Sequence, residues 1–505
     1  MHMSLFLGTL QLDRASAIPL FRQLYLAVKQ AILDRLLPAG MQLPPSRELC
    51  QSLAISRQTV LNAYELLLAE GYLSGTVGRG TFVSVDLPRE KAKRHSEKFV
   101  SQISKQISEQ ETITPRLSKR GMQFVDRASL APRQQNKTRA FRVSMPGLDV
   151  FPFDVWSRLA ARRWRHHDDQ LGYGDPAGYV PLRELLSVYL KAARGVVCSP
   201  EQIIITSGSQ QALYLLSTVL LDPDEAAWVE SPGYRGAIEP LQAAQAKVCH
   251  VPVDREGLNV EYGARHYPSA SLVYCTPSHQ LPLGMSMSLQ RRLALLAWAK
   301  ERAAWIIEDD YDSEYRYSGA PLASLQSLDK NDSVIYVGTM SKVLFPALRL
   351  GYMVLPPALV APLTHAKSIV DRHTAILPQM VLADFIAEGH FGRHIKRTRK
   401  LYSQRQAALL NGIQIHLSHE LDCGAHDGGL DLAVHFRKKL DETCVVKAGL
   451  DAGLELRPLS YFFSESASSE SAPFSPGLLL GFSSITEEEI HRSCLALRKV
   501  LRAMC

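Results

Sequence analysis

Lys342 stands in a turn of small residues, Gly338-Thr339-Met340-Ser341, that follows a run of β formers from Val334 to Val337. Arg349 comes just before a second apolar run, Leu350 to Leu355. The pattern reads as a strand, a loop carrying an amine, a nearby cation and another strand. A lysine amine forms a Schiff base with a carbonyl once burial or a neighbouring cation lowers its pKa, and a guanidinium grips phosphate as a planar fork. Those are the two groups that the aldehyde and the phosphate of pyridoxal 5′-phosphate (PLP) require. An isolated Ser-Lys pair is more often a solvated loop feature, so the reading depends on what the rest of the chain supplies.

The elements that would position such a seat are short apolar runs: Ala226 to Glu230, Ser271 to Cys275, Trp305 to Glu308, Val334 to Val337 and Leu350 to Leu355. With helical stretches such as Leu289 to Arg302 between them, they predict an α/β domain with a largely parallel sheet. Ligands of such sheets collect at the carboxyl ends of the strands. Asp309 and Tyr311 follow Trp305-Ile306-Ile307-Glu308 and, two apart on extended chain, face the same way. A carboxylate there can pair with a pyridinium nitrogen and a phenol can reach the ring's 3-oxygen. Tyr234, after Glu230-Ser231-Pro232-Gly233, is placed to stack on the ring. The run Ile203 to Thr206 passes through Ser207-Gly208-Ser209-Gln210 directly into a helix, leaving free amides and a positive dipole end for a phosphate.

At 505 residues the chain has room for two or three domains, and 46% apolar with 21% charged residues is a globular composition. The absence of a bilayer-length apolar run and of a basic, cleavable start predicts a cytoplasmic protein with no membrane partner. Eight scattered cysteines with no C-x-x-C pair indicate neither a metal site nor a disulfide framework.

The chain opens with a helical unit. After Pro19, Leu20, Leu24, Val28 and Ile32 recur every four positions. Leu43-Pro44-Pro45-Ser46-Arg47-Glu48-Leu49 starts a short helix with Ser46 as its expected cap. A third helix runs from Ser56, its cap, with Val60, Tyr64, Leu67 and Leu68 as a buried stripe and Gly71 as its stop. Its first turn points Arg57, Gln58 and Thr59 outward, residue types that read base edges and phosphates in a major groove. Two short strands, Tyr72 to Ser74 and Thr81 to Val85, join through a basic hairpin tip containing Arg79. This is a winged helix-turn-helix, and residues 18–85 resemble the GntR-type DNA-binding domain. The resemblance implies DNA contacts from Arg47, Arg57 and Arg79; Leu61 stands where some relatives carry a further basic residue.

Residues 86–140 read as a basic flexible linker. Over 84–140 there are 13 Lys+Arg against 6 Asp+Glu, a surplus of 7 that equals the net charge of the whole chain. Solvation of a tether explains this composition, and nonspecific phosphate contact is the sharper alternative.

Residues 141–490 resemble fold-type I PLP enzymes of the aminotransferase class I/II kind. The resemblance implies Lys342 as the Schiff-base lysine, Asp309 as the pyridine partner and Tyr311 as the 3-oxygen contact. Arg349, Ser209, Gln210, Thr339 and Ser341 take the places of phosphate ligands, and Tyr173 that of a tyrosine reaching the phosphate of a partner subunit. Two departures stand out. Thr276-Pro277-Ser278-His279-Gln280-Leu281-Pro282-Leu283-Gly284 occupies the place of an Asn-Pro-x-Gly motif without its asparagine, leaving His279 or Gln280 as the substitute. In Ser475 to Phe482 leucine fills the slot of the arginine that binds a substrate α-carboxylate, with Arg235 or Arg457 as possible replacements.

Over its full length the chain resembles the MocR/GabR family of bacterial regulators. The implied architecture is multidomain: a winged helix-turn-helix over 1–85, mostly α with a β-hairpin wing; the linker; and an α/β fold-type I unit over 141–505 whose smaller α+β subdomain spans about 360–505. The implied function is transcriptional regulation as a head-to-tail homodimer on operator double-stranded DNA, sensing PLP itself or an amine or amino-acid effector through an internal aldimine. The alternative is an aminotransferase with a DNA-binding head.

Overall fold

The computed structural model describes residues 12–14, 16, 18–76, 80–85, 117–122, 139–165, 172–319, 323–425, 427–463 and 475–504. The chain divides into two compact units, residues 1–116 and 117–505.

In the first unit, α1 (Leu20–Leu33) follows Pro19 and buries Leu24, Tyr25, Val28, Ala31 and Ile32. Helix α2 (Ser46–Ser52) begins one residue earlier than expected. Pro45 already holds the extended cap conformation (φ −54°, ψ 146°), so Ser46 is the first helical residue and caps nothing. Its Oγ instead accepts a long bond from Arg57 Nε (3.4 Å). Helix α3 (Arg57–Ala69) starts as expected, the Ser56 hydroxyl accepting from the Thr59 amide (3.1 Å). It buries Val60, Ala63, Tyr64 and Leu67. Leu68, expected in that stripe, lies about 100° further round the helix and is 38% exposed. Strands β1 (Leu73–Thr76) and β2 (Gly80–Val83) pair antiparallel as the wing. Residues 77–79, with the expected DNA contact Arg79, lie outside the described residues, as does nearly all of the basic linker.

The second unit is built on an eight-stranded sheet in the order β3-β10-β9-β8-β7-β4-β5-β6. Its strands are β3 (Ile203–Thr206), β4 (Ala226–Ser231), β5 (Lys247–Asp254), β6 (Gly257–Leu258), β7 (Leu272–Cys275), β8 (Trp305–Asp310), β9 (Val334–Thr339) and β10 (Gly351–Val354). The centre is parallel: β9, β8, β7, β4 and β5 run side by side. Strand β10 inserts antiparallel between β9 and β3, which brings the turn after β9 beside the turn after β3. Apolar side chains of α4 (Phe153–Arg165), α5 (Val180–Arg194), α6 (Ser209–Leu220) and α8 (Leu289–Arg302) contribute to the cores against the sheet; α7 (Arg235–Ala243) follows β4. Central strands buried on both sides are continuous apolar runs, as Val334-Ile335-Tyr336-Val337 of β9 shows.

After β10 come α9 (Pro357–Asp371), α10 (Ile376–Ala387) and the long α11 (His390–His416). Helix α11 leaves the first core, where Phe391 and Ile395 pack, and enters a second one with Tyr402, Leu409 and Ile413. That second core lies beneath a four-stranded sheet, β11-β12-β14-β13, made of β11 (Leu421–Cys423), β12 (Asp431–Phe436), β13 (Arg457–Pro458) and β14 (Gly477–Gly481). α12 (Glu442–Asp451) and α13 (Glu487–Arg502) complete it. No described helix is long and apolar enough to cross a membrane, and no cluster of metal-ligating side chains occurs among the described residues.

Candidate functional site

Strand β8 delivers Asp309 to the carboxyl edge of the sheet, where it is 4% exposed. Its Oδ2 accepts from the Tyr274 hydroxyl (2.7 Å), while Oδ1 is buried with no hydrogen-bond partner among the described residues. A buried acceptor left this way costs about 1–3 kcal/mol, more when charged, unless a ligand N–H meets it. Burial pushes the carboxyl up to about 7 despite the Tyr274 bond, with Asp310 adding to the rise. Lys342 is half-buried in the turn after β9, and its Nζ donates to the Ser144 carbonyl (3.0 Å). Ser144 is in turn anchored by Asp431, which accepts from its amide (2.7 Å) and its hydroxyl (3.2 Å).

The turn after β3 forms the other end. Gly208 (φ +115°) is the cap residue of α6 and offers no side chain to its first amides, so they are open to an anion. The Arg349 guanidinium lies across it: a Cβ on Gly208 would sit 3.1 Å from Nη2, so glycine makes room for the arginine. Ser209 opens the helix. The Gln210 carboxamide is already used, donating to the Tyr234 hydroxyl (3.0 Å) and the Gly236 carbonyl (2.9 Å), which leaves Gln210 its backbone amide for an anion. Thr339 Oγ1 accepts from the Ser341 amide (3.1 Å) and stiffens the lysine turn. Tyr173 is 94% exposed, with the His373 ring as its aromatic neighbour, so within one chain it is not gathered in with the others.

Between the missing asparagine's two candidate substitutes the geometry is plain. Gln280 is buried and ties its own loop together, donating to the Pro232 and Leu281 carbonyls (2.7 and 2.8 Å). His279 reaches the site: its Nδ1 lies 3.1 Å from the Tyr311 hydroxyl and 3.0 Å from Asp312 Oδ2. Burial opposes a proton on this imidazole, but the Asp312 carboxylate outweighs it and raises the pKa. Burial and the carboxylates of Asp312, Asp431 and Asp309 push the Tyr311 phenol well above its usual value. The arrangement therefore offers an unpaired carboxylate oxygen for a pyridinium, an amine for an aldehyde, a phenol for a ring oxygen and a glycine-floored, arginine-covered cradle for a phosphate. These residues fit PLP.

On the first unit, Arg47, Arg57 and Gln58 are exposed, with Gln58 Nε2 donating to Asn62 Oδ1 (2.8 Å). Thr59 is half-buried because its hydroxyl joins the cap (2.8 Å from Ser56 Oγ). Leu61 is half-buried.

Residues 20–83 match the model for bacterial regulatory proteins of the gntR family, and residues 148–466 match that for aminotransferase class I and II. The chain is 38% identical to the probable rhizopine catabolism regulatory protein MocR of Rhizobium meliloti, over 98% of this chain and 96% of that protein. The chain belongs to the MocR family of transcriptional regulators. It is also 31% identical to the pyridoxine biosynthesis transcriptional regulator PdxR of Corynebacterium glutamicum, over 93% of each chain. The multiple substrate aminotransferase of Thermococcus profundus superposes with a TM-score of 0.68 at 26% identity, covering 77% of this chain and 98% of that one. This MocR regulator thus joins a GntR-type DNA-binding unit to an aminotransferase-like unit, and its cofactor is PLP.

The stretch in which leucine replaces the expected arginine forms an apolar wall. Leu478 and Leu480 of β14 point into the C-terminal core, and Leu479 between them faces the opposite way. There it packs with Ala433, Leu459 and Phe462, against Val143, Leu281 and Tyr461. Val143 precedes the Ser144 that Lys342 touches, so the wall adjoins the lysine. Across the strand pair, Arg457 stands directly opposite Leu479. Arg457 and Arg235 both lie over the Tyr461 ring, at 4.7 and 5.0 Å from its centre. Tyr274, Asp312, Asp431 and Ser144 escaped the sequence reading. Only Asp312 carries a signal, an acidic run after Asp309; the others become neighbours of the site through folding alone.

Proposed function

We propose that this MocR regulator senses a primary amine that lacks an α-carboxylate, using PLP held on Lys342, and transmits the binding to operator DNA. PLP supplies, when bound, an aldehyde that takes up amines and a ring that withdraws electrons. Asp309 would keep the proton on the ring nitrogen, Tyr311 backed by His279 would hold one at the ring's 3-oxygen, and Tyr234 would stack on the ring. Arg349, the amides of Ser209 and Gln210, and the turn containing Thr339 and Ser341 hold the phosphate. Tyr173 completes the phosphate site of the partner in a head-to-tail homodimer. On DNA, Arg47, Arg57, Gln58, Thr59 and Arg79 contact the operator while Ser56 holds the recognition helix in shape. The protein works in the cytoplasm. An amine shifts promoter affinity only by as much as it binds the two dimer shapes differently.

The observation that carries the effector reading is Leu479 in an apolar wall with Arg457 opposite it. A carboxylate on the α-carbon would lose its water against leucine, whereas one further out reaches Arg457 and Arg235. Three matched C3 amines test this: β-alanine, n-propylamine and L-alanine, titrated into PLP-loaded protein while the cofactor's visible band and operator affinity are followed. β-Alanine is expected to act at the lowest concentration and L-alanine at the highest; L-alanine acting first would overturn the reading. A second reading, in which PLP itself is the effector, is supported by the kinship with PdxR. It gains if PLP loading alone changes operator affinity and no amine changes it further. Multiple turnover of an amino donor would instead favour the aminotransferase alternative.

A further inference from the structure

His279 also forms part of a second cleft, of about 400 Å³, that neither Lys342 nor Asp309 nor Tyr311 lines. One wall belongs to the part built on the eight-stranded sheet, with Arg194 at the end of α5 and Asp312, Glu314 and Arg316 in the loop after β8. The other belongs to the part around the four-stranded sheet, with Asp427 to Gly429 before β12 and Arg399 on α11. The walls meet at a backbone seam, where Arg316 bridges Gly428 and the Tyr317 amide donates to the Asp427 carbonyl (2.8 Å).

The cleft's three arginines, Arg194, Arg316 and Arg399, equal its three carboxylates, Asp312, Glu314 and Asp427, in number, but they are not paired one to one. Arg194 is bound to Asp310 (2.7 Å) and Asp312 to His279 (3.0 Å). Asp427 sits exposed at the mouth, with Ser318 on its Oδ1 (3.0 Å). Glu314 accepts from the Tyr189 hydroxyl (2.8 Å), and burial beside Asp310 raises its pKa. Two of the arginines make no ion pair among the described residues. Arg316 touches Ser286 Oγ at 3.3 Å through Nη1, and its Nε is buried with no hydrogen-bond partner among the described residues. Arg399 donates through Nε to the Glu314 carbonyl (2.6 Å), and no carboxylate among the described residues pairs with it. The imidazole of His279 faces the same space: a Cβ on Gly429 would fall 2.2 Å from its Cε1, so the glycine lets the chain before β12 lie directly on the ring.

We infer that this cleft is a second ligand site, taking a small oxyanion, a carboxylate or a phosphate, between Arg316 and Arg399. The anion braces the part around the four-stranded sheet against the part built on the eight-stranded one. It also approaches the His279 ring whose other side contacts Tyr311, so its presence alters the hydrogen bond to the phenol that faces the cofactor's 3-oxygen. The coupling part rests on the cofactor reading given above; the binding part does not.

Calorimetric titration of the PLP-loaded, full-length protein with inorganic phosphate and, separately, with succinate tests both parts, with the cofactor's visible band recorded alongside. Saturable binding of one probe is expected, with a shift of the band. Arg316→Gln and Arg399→Gln should each weaken it tenfold or more while PLP content and Tm stay at wild-type values. The two probes separate a phosphate ligand from a carboxylate one. Absence of saturable binding with both probes overturns the site, and so does binding that both variants leave unchanged, since the anion would then sit elsewhere. Binding without a band shift overturns the coupling to His279 alone.

Discussion

The two ends of the cofactor site have followed different rules. At the ring and phosphate end, polar groups stay in place even where they are costly: Asp309 keeps a buried oxygen unpaired, and Gly208 yields space so that Arg349 can cover the phosphate turn. At the end where the proposed reading puts an amino acid's α-carboxylate, Leu479 stands in an apolar cluster that Leu281 packs against, with Arg235 and Arg457 over the Tyr461 ring beside it. A cofactor seat kept beside an altered substrate seat is what a sensor requires. A sensor of the proposed kind captures an amine and has no need of the grip that makes an amino acid turn over.

Substitutions at each end should separate along that line. Asp309→Ala removes the pyridinium partner and should weaken PLP binding by roughly 100-fold, about 3 kcal/mol, in equilibrium dialysis; an unchanged affinity would remove Asp309 from the cofactor end. Leu479→Ala should cost about 2–4 kcal/mol in urea unfolding through the cavity it leaves, with PLP affinity nearly constant. Arg457→Gln should raise the β-alanine concentration needed for a spectral response about tenfold without changing the response to n-propylamine. Equal effects on both amines would take Arg457 out of the effector end. Tyr274→Phe deletes one neutral donor to Asp309 and should cost about 1 kcal/mol, roughly fivefold in PLP affinity.

A pH scan sharpens the same contrast. Burial pushes the carboxyls of Glu230 and Asp309 up to about 7 and that of Asp431 to about 6. In the unfolded chain such groups titrate near 4, so between about 4 and 7 the folded protein binds more protons and stability falls as pH rises. The cofactor-free protein should therefore lose stability from pH 5 to 7.5. PLP, by giving Asp309 a cationic partner, should flatten the slope, as denaturant midpoints of both forms would report.

Local chemistry was the readable part of this chain. The Ser56 cap, the wing strands and the β3 turn into α6 are each written in a few adjacent residues, and the sheet's buried strands are short apolar runs. Ser46 misled because a serine before a helix reads as a cap, and the proline ahead of it had already taken that conformation. Strand β5 escaped because its apolar residues alternate with Lys247, His250 and Pro252, with no solid run to flag it. The choice of His279 over Gln280 needed the fold, since both stand in one loop and only the three-dimensional path brings Tyr311 and Asp312 to the imidazole. That a leucine between Ser475 and Phe482 stands in the slot of an arginine was legible; that Leu479 is the one set apart was not. That it faces the lysine side while Leu478 and Leu480 face away, with Arg457 across from it, depended on strand register.

The most direct test of the cofactor end is chemical. Borohydride reduction of the PLP-loaded protein, followed by proteolysis and mass mapping, should place a single pyridoxyl group on the peptide containing Lys342, and Lys342→Ala should abolish it. A pyridoxyl group on another lysine, or on none in a fully loaded sample, would contradict the account.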